Sequence, residues 1–436
     1  MQRLGLNYFT TIELVEISVY LLFIIVVIGT EFRFRISLTK LLLVIYLCIT
    51  PVAALRVYEL DLLWVVLAAV LLSFGDLHRG KLRIPTVLFP FLLGVVWVIL
   101  SYVANRDTTS ADPLAIWRIP KMMSYAALVY LICFNRRSAS GVTFEQIARV
   151  FLASLFFLAM IGLFNYAVFL SIGSYPIPEG SSVEVLGTMM PRVRSLAEDS
   201  NFFGQILIVG FSLLFFERRI LSSVWRMLFL GVFGVTLCLT FSITSIALGG
   251  LLLAVYLCRK IRLHKKYSGC AVRHRRYRGT VAAAITGLLI ALNLLAVHFA
   301  PIVIEHGRKI VTSPFWINKL LSFSNRIIYQ SQVVEIIKDG RIWFGIGPHQ
   351  TLLYLRQLVH NSYFQLVLEY GIGGLFFVYV VAYLYTMVPR QRTSMRICLI
   401  MLALNAYFLE VFYAPSLWIC FLIGFAKNQH ATRKLT

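Results

Sequence analysis

The stretch ARVFLASLFFLAMIGLFNYAVFLSI, residues 148–172, carries a single charged side chain, Arg149, and is long enough to cross a bilayer. A transmembrane helix needs about 20 mostly apolar residues, because the hydrocarbon core is about 30 Å thick. Similar runs that span or half-span a bilayer recur at 8–30, 37–55, 62–75, 85–104, 122–134, 202–216, 227–241, 244–258, 280–300, 362–388, 397–412 and 415–426. This repetition predicts an all-α fold, a polytopic transmembrane helical bundle of about 12–13 spans.

The composition points to the same class of protein. The 436 residues are 59% hydrophobic and 14% charged, whereas a soluble domain averages about 45–50% apolar and about 25% charged residues. We therefore predict one integral membrane domain over residues 1–436. The first run is expected to be retained as a span, because it carries Glu13 and Glu16 and lacks a small-residue cleavage site.

The net charge of +22 does not indicate a nucleic-acid partner, because the basic residues fall mostly in short loops between apolar runs. The positive-inside rule places those loops in the cytoplasm, including the densest basic run, Arg259–Arg278. Two long segments, 173–201 and 301–361, then face outward. Long loops in compact proteins are usually functional or disordered, and the aromatic residues and the predicted loop helix over 325–338 favour function.

The second outward segment ends in a pattern suited to chemistry, Phe344-Gly-Ile-Gly-Pro-His349 followed by His360-Asn361 at the start of a span. The two glycines permit a tight turn, and Asn361 is a predicted N-cap. The helix dipole at that position disfavours a protonated imidazole. We therefore expect His360 to be neutral and able to act as a general base.

Polar residues continue from this point into the span. Asn361, Gln365 and Glu369 recur at four-residue spacing, which predicts a polar stripe on one face of the helix. Such groups are costly to bury in a span and usually face a cavity or a partner helix. A structural alternative stays open, in which His360 and Asn361 only cap the helix and the stripe holds helices together.

Arginines in both outward segments form a second feature. The candidates are Arg192 and Arg194 in the first segment and Arg326 and Arg341 in the second. A guanidinium group binds phosphate through a planar fork of donors, so two basic loops that meet over the bundle would suit an anionic headgroup. The alternative is simple contact with lipid headgroups.

Other kinds of site are not indicated. The seven cysteines are scattered without a CxxC pair, there is no Walker A or HExxH pattern, and no outward loop carries a DxD-like metal site. We expect no metal and no cofactor, so the substrate must supply the energy of any reaction. The acidic run Glu198-Asp-Ser-Asn201 precedes a span and is assigned to ordinary helix capping.

The segment from Asn325 to Gly374 resembles the signature region of the bacterial O-antigen ligase and polymerase family. That pattern is an arginine that opens a loop helix, a GxG turn, a histidine–asparagine pair that enters a span, and a glutamate before a glycine-rich turn. In this sequence these are Asn325-Arg326, Gly345-Ile-Gly347, His360-Asn361, Glu369 and Gly371-Ile-Gly-Gly374. The segment from Arg194 to Gly204 is similar to a second patch of the family. A Ser-Arg pair and a loop tryptophan that are common in the family are missing.

The resemblance implies a metal-independent glycosyltransferase of the bacterial inner (cytoplasmic) membrane, with its active site facing the periplasm or outside. It would move a glycan from a polyprenyl-pyrophosphate-linked donor to an acceptor sugar hydroxyl. The reaction would take place at the membrane surface, in contact with membrane lipid. The implied roles are general base for His360, pyrophosphate binding for Arg326 and Arg194 with weaker support from Arg192 and Arg341, and supporting contacts from Asn361, Gln365 and Glu369. A chain-length regulator or a flippase would be its protein partner.

The sequence leaves the acceptor open. A polymerase that joins O-antigen or exopolysaccharide repeat units is favoured, because the signature is loose and the loop tryptophan is missing. An O-antigen ligase acting on lipopolysaccharide core and transfer to a protein side chain are the alternatives within the family. A transporter or flippase for lipid-linked glycans is the alternative from another class, and the lack of visible repeats weakens it. A structural or signalling subunit would not require paired basic loops.

Overall fold

The computed structural model describes residues 11–32, 37–52, 63, 65–71, 84–109, 113–137, 143–173, 182–185, 188–197, 199–262, 286, 314–355, 359–407, 409 and 411–426. Over these residues the protein is helical, with one short antiparallel strand pair in the first long segment. Most of the predicted run 280–300, residues 62, 64 and 72–75 of the run 62–75, and the basic run beyond Arg262 lie outside the described residues. The all-α class is therefore confirmed for the described part of the chain.

In chain order the helices and strands are α1 Thr11–Phe32, α2 Leu38–Ile49, α3 Leu88–Ala104, α4 Arg106–Thr109, α5 Pro113–Arg137, α6 Phe144–Ile172, β1 Ser182–Val185, β2 Thr188–Pro191, α7 Ser200–Phe216, α8 Ser223–Leu239, α9 Ile243–Arg262, α10 Pro314–Ile336, α11 Thr351–Leu355, α12 Ser362–Tyr370, α13 Gly373–Met387, α14 Thr393–Asn405 and α15 Pro415–Gly424. A π-type turn, Ile337–Arg341, follows α10.

Helix α7 lies at the centre of the bundle and packs against α6, α8, α9, α14 and α15. It is apolar on all faces, and nearly all its side chains are buried, as expected for a core helix. Two glycines allow the neighbours to approach closely. A Cβ at Gly204 would lie 2.7 Å from the Ser245 Cβ, and one at Gly210 would lie 2.7 Å from a methyl group of Leu155.

Helix α1 packs against α6 on one side only, and its other face is apolar and exposed. The side chains more than half exposed there include Leu14, Val15, Leu22, Ile25 and Val26. Within the described residues, Ile12–Phe32 and Phe144–Ile172 are long and apolar enough to cross a membrane, and the other apolar helices have 10–17 residues. An exposed apolar face on a helix of this length points to membrane association.

Several predicted boundaries are confirmed and others are wrong. The long run 227–258 breaks near Ser242–Ser245 as predicted, since α8 ends at Leu239 and α9 begins at Ile243. The run 397–412 is helical only to Asn405, and Pro415 opens a separate helix at its first turn instead of breaking one helix. The loop helix predicted over 325–338 begins earlier, at Pro314.

The sequence predicts a single span over 362–388, and the structure corrects this to two helices, α12 and α13. Gly371 separates them with a φ of 58°, a left-handed conformation that glycine adopts without strain. The chain breaks at this glycine because the turn before α11 packs against it. The Ile372 amide donates to the Ile342 carbonyl at 2.8 Å, and a Cβ on Gly371 would overlap the backbone of Trp343.

Candidate functional site

The GxG turn packs against the C-terminal end of α12. Gly345 and Gly347 have φ values of 65° and 97°, so the tight turn predicted from these glycines is confirmed. The Ile346 amide donates to the Leu368 carbonyl at 2.9 Å, and the Gly347 amide donates to the Glu369 carbonyl at 3.2 Å. A Cβ on Gly345 would lie 2.7 Å from the Glu369 carbonyl oxygen. Glycine is therefore required for close approach as well as for the left-handed backbone.

The predicted cap at the start of α12 is also confirmed. The Asn361 Oδ1 accepts hydrogen bonds from the amides of Tyr363 at 3.0 Å and Phe364 at 3.2 Å. His360, one residue earlier, is half-buried and has a φ of 52°. Histidine enters this left-handed region more often than most residues, and side chains held in such conformations cluster at functional sites.

Arg192 lies just after β2, where the chain is fixed to the end of α8. The Val193 amide donates to the Leu239 carbonyl at 2.9 Å. The Arg192 guanidinium is held on two sides, because its Nε donates to the Thr240 carbonyl at 2.8 Å and its Nη2 donates to the Asn201 Oδ1 at 2.9 Å. The Thr240 carbonyl and the Asn201 side-chain amide thus hold the Arg192 guanidinium in place, so its position does not depend on an opposite charge alone.

Arg192, Arg326 and His360, with Asp199, form what we call the basic cluster. The charges of Arg192 and Asp199 act on Arg326, and those of Arg326 and Asp199 act on His360. Residues of the segments 173–201 and 301–361 therefore lie close enough for their charges to interact. Two guanidinium groups in one electrostatic field, with a single described carboxylate between them, favour the binding of an anion.

Burial sets the protonation of the basic cluster. The pKa of His360 is lowered to about 4, first by burial and then by the charge of Arg326, while Asp199 partly opposes the shift. Burial also lowers the pKa of the Arg326 and Arg192 guanidinium groups. The predicted neutral state of His360 is confirmed, but its cause is burial beside a cation rather than the helix dipole.

The other two predicted pyrophosphate ligands have described contacts elsewhere. Arg194 forms an ion pair with Glu13 on α1, with the Nη2 3.5 Å from the Oε1. Arg341 is exposed and donates from its Nη1 to the Asn105 Oδ1 at 2.8 Å, at the C-terminal end of α3. The Asn105 Nδ2 in turn donates to the Ser101 carbonyl at 2.9 Å, so Arg341 steadies the base of the GxG turn.

The predicted polar stripe on α12 divides into two parts. Asn361 is the cap, whereas Gln365 and Glu369 are buried and hydrogen-bonded to Thr351 on α11. The Glu369 Oε1 accepts from the Gln365 Nε2 at 2.6 Å and from the Thr351 Oγ1 at 3.2 Å, and the Gln365 Nε2 also donates to the Thr351 Oγ1 at 3.0 Å. These contacts favour the structural alternative for Gln365 and Glu369, since they hold α11 against α12.

Asp199, Asn201 and Thr240 are the members of the site that the sequence analysis did not identify. Asp199 caps α7 by accepting from the Asn201 amide, so the capping role assigned to this run is confirmed for that residue. The same run also faces the arginines. The available signal was its position, because it is an acidic run only a few residues after Arg192 and Arg194.

Within the described residues, no group of three or more His, Cys, Asp or Glu side chains is placed to hold a metal ion. Comparison of the chain with protein-family models, with curated proteins and with solved structures finds no match. Any function must therefore be inferred from the residues of the site themselves.

Proposed function

We propose that this protein is a metal-independent membrane glycosyltransferase of the bacterial inner membrane. It transfers a glycan from a polyprenyl pyrophosphate to an acceptor sugar hydroxyl on the outer face of that membrane, and most simply polymerises O-antigen or exopolysaccharide repeat units. The observation that carries the proposal is the basic cluster, in which two arginines from separate segments lie with a neutral histidine. The residue pattern from Asn325 to Gly374 supports the same chemistry.

The basic cluster provides the groups that this reaction needs. The acceptor oxygen attacks the anomeric carbon of the donor, the bond from that carbon to the pyrophosphate oxygen breaks, and the pyrophosphate leaves on the polyprenol. Arg192 and Arg326 stabilise the negative charge that builds up on the leaving group. His360 takes the proton from the acceptor hydroxyl. The energy comes from the donor bond.

The donor itself should make His360 a stronger base. A histidine with a pKa of about 4 is neutral but binds protons weakly, and a base works best when its pKa lies near the operating pH. A pyrophosphate bound to Arg326 and Arg192 would offset the positive charge of Arg326, which is the main electrostatic cause of the low value. The pKa of His360 should therefore rise when the donor binds.

This coupling predicts the pH dependence of donor binding. The glycan-linked polyprenyl pyrophosphate should bind more tightly as the pH falls through the raised pKa of His360 in the bound state, because binding then takes up a proton. The gain should level off below about pH 4, where His360 is also protonated in the empty site. Affinities measured in vesicles between about pH 5 and 8 should show this slope in the wild type and lose it in His360→Asn. Equal slopes would contradict the coupling.

The proposed orientation predicts which residues a membrane-impermeant thiol reagent reaches. Lys338 is 64% exposed in the second outward segment, and Cys270 lies in the basic run 259–278. In a cysteine-free background, Lys338→Cys should be labelled in cells with a permeabilised outer membrane, whereas a restored Cys270 should be labelled only after lysis. The reverse pattern would overturn the orientation.

The function is tested with the purified protein in lipid vesicles, lipid-linked repeat units as donor and a chelator throughout. The expected products are longer lipid-linked glycans and free polyprenyl pyrophosphate. Transfer only when lipopolysaccharide core is added would identify a ligase instead of a polymerase. Movement of the donor across the bilayer without new glycosidic bonds, or a strict need for a divalent metal, would overturn the proposal.

A further inference from the structure

A cavity of about 370 Å³ lies between α1, α6 and the start of α8, well separated in sequence from the basic cluster. Its walls are entirely apolar and are formed by Phe23, Ala153, Phe156, Leu221, Trp225 and Phe229. A cavity with no polar lining cannot orient a polar ligand by hydrogen bonds. Only a hydrocarbon chain would occupy it without leaving a polar group unpaired.

Aromatic rings that contact one another form part of the cavity wall. Phe156 stacks on Phe229 with a centroid distance of 4.3 Å, and Trp225 meets Phe229 edge-on at 6.4 Å. Trp225 is 55% exposed and lies in the first turn of α8. Tryptophan at a helix end is typical of the membrane–water interface, so the mouth of the cavity lies at headgroup depth.

Three arginines adjoin the lining residues Leu221 and Trp225 in the chain. Arg218 and Arg219 are exposed in the turn between α7 and α8, and Arg226 follows Trp225 on α8. Two carboxylates of the adjoining segments have other partners: Glu31 accepts from Arg149 at 3.0 Å, and Glu217 accepts from the Ser394 Oγ at 2.6 Å. The surface around the mouth is therefore positive, on the side that the positive-inside rule assigns to the cytoplasm.

We propose that this cavity is a binding site for an anionic phospholipid, with one acyl chain between α1, α6 and α8 and the phosphate on Arg218, Arg219 and Arg226. The charge of the flanking arginines selects an anionic over a zwitterionic headgroup, and the apolar walls accept the chain. The proposed lipid site depends on the placement of the protein in a membrane and not on the glycosyl-transfer reaction. The failure of one proposal would therefore leave the other intact.

Trp225 itself reports on the occupant. The full-length protein is reconstituted in phosphatidylcholine vesicles in which a minor lipid carries brominated acyl chains, which quench tryptophan at contact. The Trp225 emission is the difference between the wild type and Trp225→Phe. Brominated phosphatidylglycerol should quench it at a lower mole fraction than brominated phosphatidylcholine, by about fivefold for each arginine that contacts the headgroup.

Matched variants distinguish binding of the acyl chain from binding of the headgroup. Ala153→Leu, which fills the cavity, should weaken quenching by both lipids. Replacement of Arg218, Arg219 and Arg226 by Gln should remove only the preference for phosphatidylglycerol, whereas Gln at the exposed Arg390, on the same predicted side, should leave it intact. If the triple variant is not inserted, Arg226→Gln alone should lower the preference about fivefold.

The proposal is overturned by equal quenching curves for the two lipids in the wild type. It is also overturned if the phosphatidylglycerol preference survives removal of the arginines, or if quenching is unchanged by Ala153→Leu. Equal curves, or quenching unchanged by Ala153→Leu, would mean that Trp225 meets only the surrounding bilayer lipid, and a surviving preference would mean that other groups select the headgroup. Loss of glycan transfer in any variant has no bearing on the outcome, because the readout does not depend on turnover.

Discussion

Replacement of His360 by Asn should lower glycan transfer by about 10²–10⁴-fold, the usual contribution of a general base. Asparagine cannot accept the proton of the acceptor hydroxyl at neutral pH, so the chemical step should slow while the donor still binds to Arg192 and Arg326. The measurement is initial turnover with purified protein, a lipid-linked donor and a chelator, together with the melting temperature.

The Asn variant tests the base without disturbing the fold. His360 has a φ of 52°, and asparagine is one of the few residues that adopts this conformation readily. The cap of α12 is Asn361, whose Oδ1 accepts from the amides of Tyr363 and Phe364. A purely structural role for His360 therefore predicts a mild effect, because neither the backbone conformation nor the cap changes.

His349 provides a matched control. It has a φ of 62°, so His349→Asn makes the same conformational demand on the chain. That variant should keep substantial activity, since the proposed base is His360, eleven residues further along the chain. Normal turnover in His360→Asn would contradict the proposed base, and equal losses in both variants would assign the effect to the loop instead of to the imidazole.

Local rules were sufficient for the features that depend on neighbours in sequence. The break near Ser242, the cap at Asn361 and the turn at Gly345 follow from backbone preferences that act over a few residues. The neutral state of His360 was also predicted, although from a helix dipole that is not the main cause. Its pKa is set by burial and by Arg326, and both depend on how distant segments pack.

Features that depend on packing were not predictable from one sequence. Arg192 and Arg194 are two arginines of the same segment, and nothing in the sequence distinguishes their roles. In the structure, however, Arg192 donates to Asn201 and Arg194 pairs with Glu13. The direction of each side chain is set by the short strand and turn around them, which carry no periodic signal. The apolar run 362–388 gave no sign of the break at Gly371, although the family pattern places a glycine-rich turn there, because the break depends on the backbone of Trp343, which approaches from another segment.

The acidic residue of the basic cluster shows how one residue can serve two purposes. Asp199 caps α7 through the Asn201 amide, which is a complete explanation at the level of sequence. In the folded protein its charge also acts on Arg192, Arg326 and His360. Its negative charge offsets part of the repulsion between the two guanidinium groups, and under the proposed function a bound pyrophosphate would do the same with a larger negative charge.

Lysine in place of Arg326 or Arg192 should impair transfer almost as much as alanine, by about 10²–10³-fold, as for the loss of one donor to a developing anion. An ammonium group keeps the charge but cannot reproduce the planar fork. At Arg192, lysine should also lose its fixed position, because the Arg192 Nε and Nη2 donate at the same time to the Thr240 carbonyl and the Asn201 Oδ1.

Arg194→Lys is the contrasting variant, because its described contact is a single ion pair with Glu13 at 3.5 Å, which a lysine can replace. We expect it to keep most of the activity, and a loss as large as that of Arg326→Lys would instead return Arg194 to the pyrophosphate site implied by the resemblance. All variants are compared at equal abundance in the membrane. Full turnover in both Arg326→Lys and Arg192→Lys would contradict the proposed binding of the leaving group by the planar guanidinium fork, since binding by charge alone would then be enough.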